Sequence, residues 1–211
     1  MQWIPDPTGR FPMRPHFEAE LLDQRAEQFA EDFLRRRRGL IAYPLLSNEL
    51  VALVEERVAD LDLFADLSPE GDDVEGVTYF VPGGRPRVLI SEALDDPRME
   101  NRQRMTLAHE LGHVELHNDL WPAEPPPEFF PDPAEQHPVR CLRRAIARPG
   151  SRADWMEWQA SYFASALLVP RRTCLSLLAT APAGSDPIST VVEAFQVSRD
   201  AARVRLAYLT A

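Results

Sequence analysis

Two histidines and a glutamate with the spacing of a metal site lie near the middle of the chain. The segment His109-Glu110-Leu111-Gly112-His113 places two imidazoles four residues apart, and on an α-helix this separation puts them on one face. Neutral imidazole nitrogens bind Zn²⁺ at about 2.0–2.1 Å, so both can reach one ion. Glu110 points about 100° around the helix from His109, which favours a place beside a bound water rather than a ligand role. Zinc lowers the pKa of such a water toward about 7, and we predict that Glu110 is the general base that takes its proton.

A catalytic zinc site needs a third protein ligand, for which the sequence offers two main candidates. His117 lies eight residues past His109 and drifts about 80° around the helix, which favours a position behind the ligands or at the helix end. The longer motif of metzincins is absent, because Leu116 and Asp119 occupy the positions of its glycine and third histidine. Glu157 is the better candidate, since a carboxylate among apolar helical residues is costly to bury unless it is paired or metal-bound. The alternative is an exposed glutamate favoured by the helix dipole.

The remaining cysteines and histidines are predicted to have structural or surface positions. Cys141 is a possible soft zinc ligand supplied by the 119–153 loop, but a small buried cysteine is the preferred interpretation. Cys174 lies on an apolar helix and is predicted to belong to the core. His16 and His137 have proline or polar neighbours and are predicted to be exposed.

Hydrophobic periodicity predicts that helices position these residues. The helix over 99–117 carries the histidine motif, with Met105, Leu107 and Ala108 on its buried side, and Gly112 in its interior allows another element to approach closely. The helix over 154–168, capped by Asp154, carries Glu157. The other predicted helices are 16–38, ended by Gly39; 47–59, capped by Ser47; a short helix over 139–147; 171–179; 187–196; and 198–209.

Three short segments between the second and third of these helices have the composition of β-strands: 61–64, 77–81 and 87–90. Gly83-Gly84 predicts a hairpin between the last two. The acidic segment between the first two, with Glu70, Asp72, Asp73 and Glu75, is predicted to be a solvated turn. The predicted fold class is α+β, with a small antiparallel or mixed sheet packed on a helical body and the histidine motif on a central helix.

The composition is that of a globular, acidic protein. The chain has 211 residues, 45% of them hydrophobic, and a formal net charge of −10, which argues against broad nucleic-acid binding because phosphate backbones are repelled. Two cysteines do not make a disulfide framework and fit a reducing cytosol. We see neither a basic start followed by an apolar run nor a stretch long enough to span a bilayer, and we predict a cytoplasmic protein without a membrane partner.

At these residues the chain resembles the ImmA/IrrE family of metallopeptidases. The resemblance covers roughly residues 40–211. It is carried by segment 104–117, by Glu157-Trp158-Gln159-Ala160 with the apolar residues up to Pro170, and more weakly by Phe195-Gln196-Val197-Ser198 with Arg205-Leu206.

The resemblance implies a zincin-like fold with specific roles for four residues. His109, His113 and Glu157 would be the zinc ligands, and Glu110 the catalytic base. Ser161 departs from the family pattern, since the position four past the ligand glutamate is often Asn or Asp. Such a group orients a ligating histidine, and the shorter serine reaches less far.

The resemblance also implies a function. Family members often cut a partner transcriptional repressor, so we expect an intracellular zinc-dependent endopeptidase whose substrate is a helix-turn-helix repressor. We predict an N-terminal arm and helix over 1–40, the arm being the irregular residues 1–15. A zincin-like domain follows over 41–180, and a C-terminal helical pair over 181–211 packs on it. His117 and Tyr79 are candidate oxyanion donors.

Two other functions are compatible with the sequence. A zinc-stabilised module could hold a partner without cutting it, and would need the metal but not Glu110. The last two helices also resemble a helix-turn-helix, with Arg199, Arg203 and Arg205 on the second. DNA binding is therefore possible but not favoured; the preferred interpretation is that this pair packs on the peptidase and shows its arginines to solvent.

Overall fold

The protein has an α+β fold that is mostly helical, as predicted. The computed structural model describes residues 1–121, 137–142 and 155–210, and for 137–142 the backbone alone. The elements in chain order are β1 (Gln2–Pro5), β2 (Met13–His16), α1 (Ala19–Arg38), α2 (Ser47–Glu55), β3 (Asp60–Ala65), β4 (Val74–Phe80), β5 (Arg87–Ser91), α3 (Glu100–His117), β6 (His137–Leu142), α4 (Trp155–Leu168), α5 (Arg171–Thr180), α6 (Pro187–Phe195) and α7 (Arg199–Thr210).

The main sheet is mixed, with the strand order β3-β5-β4-β6. Strands β4 and β5 are antiparallel neighbours, so the predicted hairpin is confirmed, and Gly83 in its turn has a φ of 66°, a conformation that suits glycine. Strand β3 pairs with β5 in parallel. The prediction of a solvated acidic turn is wrong for Glu75, which lies in β4, is buried, and forms an ion pair with Arg102 of α3.

Strand β6 replaces part of a helix predicted over 139–147. Residues 137–142 pair with β4 in antiparallel register, with Thr78 opposite Val139. Residues 143–147 lie outside the described part of the chain. Hydrogen bonds to a strand about sixty residues earlier override the local helical pattern, since strand formation depends strongly on tertiary context.

The N-terminal residues also differ from the predicted irregular arm. Strands β1 and β2 form an antiparallel two-stranded sheet, here called the N-terminal hairpin (residues 2–16). The Asp6 carboxylate accepts hydrogen bonds from the backbone of Thr8 and Phe11, which holds the turn. Because His16 pairs in β2, helix α1 begins at Ala19, later than predicted; it ends at Gly39, whose φ is 73°.

The predicted N-cap of helix α2 is wrong, and the predicted N-cap of helix α4 lies outside the described residues. Ser47 is the first residue of α2 and not its cap; its hydroxyl donates to Glu100 of α3 at 2.6 Å. The Glu49 carboxylate accepts from the Leu46 backbone N–H at 2.9 Å instead. Helix α2 ends at Glu55, before the predicted position. Asp154, the predicted cap of α4, lies outside the described residues.

The main core lies between the sheet and helices α1, α3 and α4. Met105, Leu107 and Ala108 are buried, as predicted for the helix that carries the motif. Other members are contributed by several elements: Leu22, Leu34, Val88, Ile90, Phe163 and Leu167. None of the described helices combines the length and the apolar character needed to cross a membrane.

The C-terminal helices pack on the rest of the fold. Arg205 of α7 is fully buried; it donates to Asp23 of α1 at 2.6 Å and to the carbonyl of Val169, just after α4, at 2.9 Å. The predicted exposure of the arginines on this helix is wrong for Arg205, because its guanidinium pairs with Asp23 inside the fold. The proposed boundaries at residues 40/41 and 180/181 stay predictions.

Candidate metal centre

Three side chains from two helices converge on one point. The Nε2 atoms of His109 and His113 on α3 lie 3.0 Å apart. Each is 3.1 Å from a different carboxylate oxygen of Glu157, which lies in the first turn of α4. These three side chains could hold a metal ion, and they are the three residues predicted as ligands.

The crossing of α3 and α4 brings Glu157 to the two histidines. A Cβ atom on Gly112 would lie 2.9 Å from both the Cα and the carbonyl oxygen of Ala160 on α4. These are backbone atoms that cannot move aside cheaply, so only glycine permits this approach. Gly112 therefore has the role that its position in the motif predicted.

The donor set fits a zinc ion. Ligand atoms about 2.05 Å from a tetrahedral Zn²⁺ lie about 3.3 Å from one another, close to the separations of 3.0 and 3.1 Å here. Burial favours the protonated form of Glu157, but the imidazoles of His113 and His109 outweigh it and hold the pKa of Glu157 well below its usual range. The carboxylate is thus ionised, as a metal ligand must be.

The far side of His109 contacts Ser161. The Nδ1 atom of His109 lies 3.2 Å from the Ser161 hydroxyl oxygen, so this N–H can donate to it while Nε2 faces His113 and Glu157. The short side chain of Ser161 therefore reaches His109.

A chain of hydrogen bonds sets the proton positions behind His113. The Pro15 carbonyl can only accept, so the Gln159 amide that contacts it at 3.0 Å donates, and the Gln159 Oε1 faces His117. His117 Nε2 therefore donates to that oxygen at 3.0 Å. Burial lowers the pKa of His117 well below its usual value, so its Nδ1 carries no proton. His113 Nδ1 donates to that nitrogen at 3.1 Å, and its Nε2 lone pair faces the metal centre.

Glu110 occupies a polar niche between α3 and strand β4. The Thr78 hydroxyl donates to its Oε2 at 2.6 Å. A Cβ atom on Gly76 would lie 2.5 Å from its Oε1, so glycine makes room for the carboxylate. That Oε1 is buried without a hydrogen-bond partner within the described residues. Burial raises the pKa of Glu110, although His113, His109 and the Thr78 hydroxyl favour its ionised form.

The other predicted candidates have different surroundings. His117 lies behind the ligands, as one of its predicted positions required, and both of its ring nitrogens are engaged. Tyr79 donates its hydroxyl to Glu70 at 2.8 Å, on the opposite face of β4 from Thr78. Neither therefore serves as the oxyanion donor considered above. His16 is half-buried and contacts Glu18, and Cys174 is buried in the core. The side chains of His137 and Cys141 lie outside the described residues.

Three residues of the site were missed by sequence reasoning: Gly76, Thr78 and Gln159. Gly76 and Thr78 looked like ordinary residues of a strand, although a glycine inside a strand can indicate close approach of another group. Gln159 is a polar residue in an otherwise apolar helix, two positions past Glu157, and this contrast was a usable signal.

The model of one known protein family matches most of the chain. The family model Peptidase_M78, described as the IrrE N-terminal-like domain, matches residues 63–138 and 143–207. These ranges make up most of the chain and contain Glu110 and the three converging side chains. A search of curated proteins found no significant match.

Proposed function

The chain belongs to the Peptidase_M78 family of IrrE N-terminal-like domains, and from that membership and the geometry of its metal centre we propose that it is a zinc-dependent endopeptidase with a zincin-like fold. The observation that carries the proposal is the convergence of His109, His113 and Glu157 at separations of 3.0 to 3.1 Å beside the buried carboxylate of Glu110.

The proposed ligand set leaves room for substrate chemistry. Three protein ligands with an open fourth position are typical of catalytic zinc, whereas structural zinc sites use four protein ligands. When bound, zinc would polarise the peptide carbonyl and lower the pKa of a water molecule. The chain's part is to hold the ligand atoms in place, through Ser161 behind His109 and His117 behind His113.

Glu110 has the surroundings of a residue that takes up and returns a proton. Thr78 holds one carboxylate oxygen, which leaves Oε1 as the atom that exchanges the proton. Because burial raises the pKa of Glu110, its protonated form is more accessible than that of an exposed glutamate. It can therefore accept a proton from water and pass it to the leaving amine.

We propose a helix-turn-helix transcriptional repressor as the substrate and the cytoplasm as its location. The family resemblance supports the substrate class. Strand β6 is at one edge of the described sheet, and a substrate segment could pair with such an edge in extended form. Cleavage of the repressor would then release the genes it controls.

The proposal is tested by co-expressing the protein with a helix-turn-helix repressor encoded by a neighbouring gene. We expect the wild-type protein to cut the repressor, and a chelator to stop cleavage in the purified mixture. Glu110→Gln should still bind Zn²⁺, because Glu110 is not a ligand, but should cleave about 10²- to 10⁴-fold more slowly. Fragments are followed by mass spectrometry and zinc content by metal analysis.

Two outcomes would contradict different parts of this proposal. If Glu110→Gln cleaved at the wild-type rate, the base assignment would be wrong. If the wild-type protein bound zinc and the repressor but cut neither it nor unfolded proteins, the chain would be a metal-stabilised binding module. The niche formed for Glu110 by Gly76 and Thr78 favours catalysis over that alternative, since a binding module has no use for it.

A further inference from the structure

The N-terminal hairpin contacts the first turn of α4, the turn that carries Glu157. The Trp155 indole N–H donates to Asp6 at 3.2 Å, and the Arg14 guanidinium lies 5.1 Å from the centre of the Trp155 ring. The Arg10 guanidinium lies 3.8 Å from the Met156 sulfur. The two residues immediately before Glu157 are thus held by a segment that precedes the family match, which begins at residue 63.

An aromatic cluster fixes the hairpin against this part of the fold. Phe11, in the hairpin turn, is buried and packs edge-on against Trp121 at 5.2 Å and Trp155 at 6.5 Å between ring centres. Trp121 stacks on Phe80 of β4 at 3.9 Å. The Trp155 ring in turn lies edge-on to His117 at 5.4 Å. The hairpin is therefore anchored to α4, which carries Glu157, and through Trp121 to β4, which carries Thr78.

The hairpin also reaches a metal ligand through hydrogen bonds. The Pro15 carbonyl of β2 accepts from Gln159, Gln159 accepts from His117, and His117 accepts from His113. Pro15, Gln159 and both histidines are buried, so water does not compete for these bonds. The carbonyl at the end of the series has no proton to give, so the first two bonds each have one direction, and the third joins the Nδ1 atoms of His117 and His113 at 3.1 Å.

We propose that the N-terminal hairpin is a positioning element of the metal centre and that Gln159 is the residue through which it acts. By holding Gln159, the Pro15 carbonyl orients His117, which holds the ring of His113 in place. The hairpin's hold on Trp155 and Met156 sets the direction of Glu157. This inference rests on the metal-binding part of the proposed function and not on cleavage.

Gln159→Leu tests the inference in the full-length protein. Leucine fills a similar volume but ends both hydrogen bonds, so the orientation of His113 is lost. We expect Zn²⁺ affinity to fall about 10- to 100-fold, as is usual when a partner behind a ligating histidine is removed. Affinity is measured by competition with a chromogenic chelator, and Co²⁺ substituted for zinc gives a visible spectrum that should shift with the altered ligand geometry.

Two further variants separate the links of the series. Gln159→Glu keeps an acceptor for His117 but cannot donate to Pro15, so we expect a smaller loss of affinity than in Gln159→Leu. Asp6→Ala touches no ligand and removes the acceptor of the Trp155 N–H and of the Phe11 N–H. We expect it to weaken Zn²⁺ binding about fivefold, as suits one modest hydrogen bond.

Tyr162→Phe is the matched control for a merely structural effect. It removes a buried hydrogen bond from the same helix, donated by the Tyr162 hydroxyl to Asp23 at 3.2 Å. It should lower the stability of the metal-free protein while leaving the Zn²⁺ affinity and the Co²⁺ spectrum unchanged.

The outcomes distinguish this inference from the proposed function. Wild-type affinity in both Gln159→Leu and Asp6→Ala would overturn the role of the hairpin and leave the peptidase proposal standing. If Gln159→Leu does not fold, wild-type Zn²⁺ affinity in both Gln159→Glu and Asp6→Ala would overturn the role of the hairpin instead. A wild-type protein that binds no Zn²⁺ would overturn both proposals.

Discussion

At the scale of the residue, His109, His113 and Glu110 each have two polar side-chain atoms, and a neighbouring side chain holds one of them. His109 and His113 face the centre with Nε2 and are held from behind at Nδ1, by Ser161 and His117. Glu110 is held in the same way, since the Thr78 hydroxyl donates to Oε2 while Oε1 has no hydrogen-bond partner within the described residues. Fixing the second atom removes rotational freedom before the substrate arrives, which is a general source of catalytic efficiency.

Thr78→Val tests this rule at Glu110. Valine has nearly the same shape but cannot donate, and a hydrogen bond to a charged group contributes about 1.5–3 kcal/mol. We expect cleavage to slow about 10- to 100-fold while Zn²⁺ affinity stays at the wild-type value, because Thr78 contacts no ligand. Both are measured with the repressor assay and the chelator competition described above.

Thr106→Val is the matched control. Thr106 is also buried, lies one helical turn before Glu110, and its hydroxyl makes no hydrogen bond within the described residues. Cleavage by this variant should stay close to the wild-type rate. Equal rates in Thr78→Val and the wild-type protein would show that the hydroxyl does not position the base.

At the scale of the element, the site forms where strand β4 packs against helix α3 and where helix α4 crosses helix α3. Along β4, Gly76 and Thr78 face α3 and contact Glu110, whereas Tyr79 on the other face contacts Glu70, as the alternation of side chains in a strand requires. Helix α4 crosses α3 so closely at Gly112 that the third proposed ligand meets the first two. One small residue in each element therefore determines how near its neighbour can lie.

Gly112→Ala tests the close crossing of α3 and α4. Alanine is favoured over glycine inside a helix by about 1 kcal/mol, but here its Cβ would lie 2.9 Å from two backbone atoms of Ala160. Overpacking costs up to about 3 kcal/mol, so we expect a net loss of about 2 kcal/mol in the free energy of unfolding. Zn²⁺ affinity should fall as well, since α4 carries Glu157 away from the histidines. A more stable variant would show that the helices can separate without cost.

At the scale of the whole molecule, the two ends of the chain pack around the metal-binding helices. The N-terminal hairpin contacts α4 at Trp155 and Gln159, and α7 is joined to α1 by the buried pair of Arg205 and Asp23. Arg205 is therefore unavailable to a DNA groove. Arg199 and Arg203 pair with Asp186 and Asp200. The burial of Arg205 and the net charge of −10 support the preference for packing over DNA binding.

Arg205→Leu tests the buried pair that joins the C-terminal helix to α1. Removing one partner of a buried pair leaves an uncompensated charge on Asp23, which typically costs about 3–5 kcal/mol. Tyr162 and Arg171 also contact Asp23, so we expect about 3 kcal/mol, measured by urea denaturation with tryptophan fluorescence. Arg203→Ala removes a largely exposed pair on the same helix and should change stability by less than about 0.5 kcal/mol. Equal effects of the two changes would contradict the structural role of Arg205.

The sequence by itself determined the features that depend on local spacing. The pair of histidines on one helix face, the use of Gly112 for close approach and the helical and hairpin periodicities follow from residues a few positions apart. Glu157 could be selected because a carboxylate in an apolar helix needs a partner. Its role as a ligand, and that of Glu110 as the base, stay proposals that rest on the geometry and the family.

Only the tertiary structure decided the features made by residues far apart in the chain. The pairing of strand β6 with β4, the packing of the N-terminal hairpin on α4, the Thr78 contact with Glu110 and the path from Pro15 through Gln159 each join segments separated by tens of residues. No local pattern encodes such pairings, because the free energy that selects them arises from burial and hydrogen bonds formed when the whole chain has folded. A candidate ligand can thus be selected from the sequence, whereas the contacts that hold its side chain in place depend on tertiary packing.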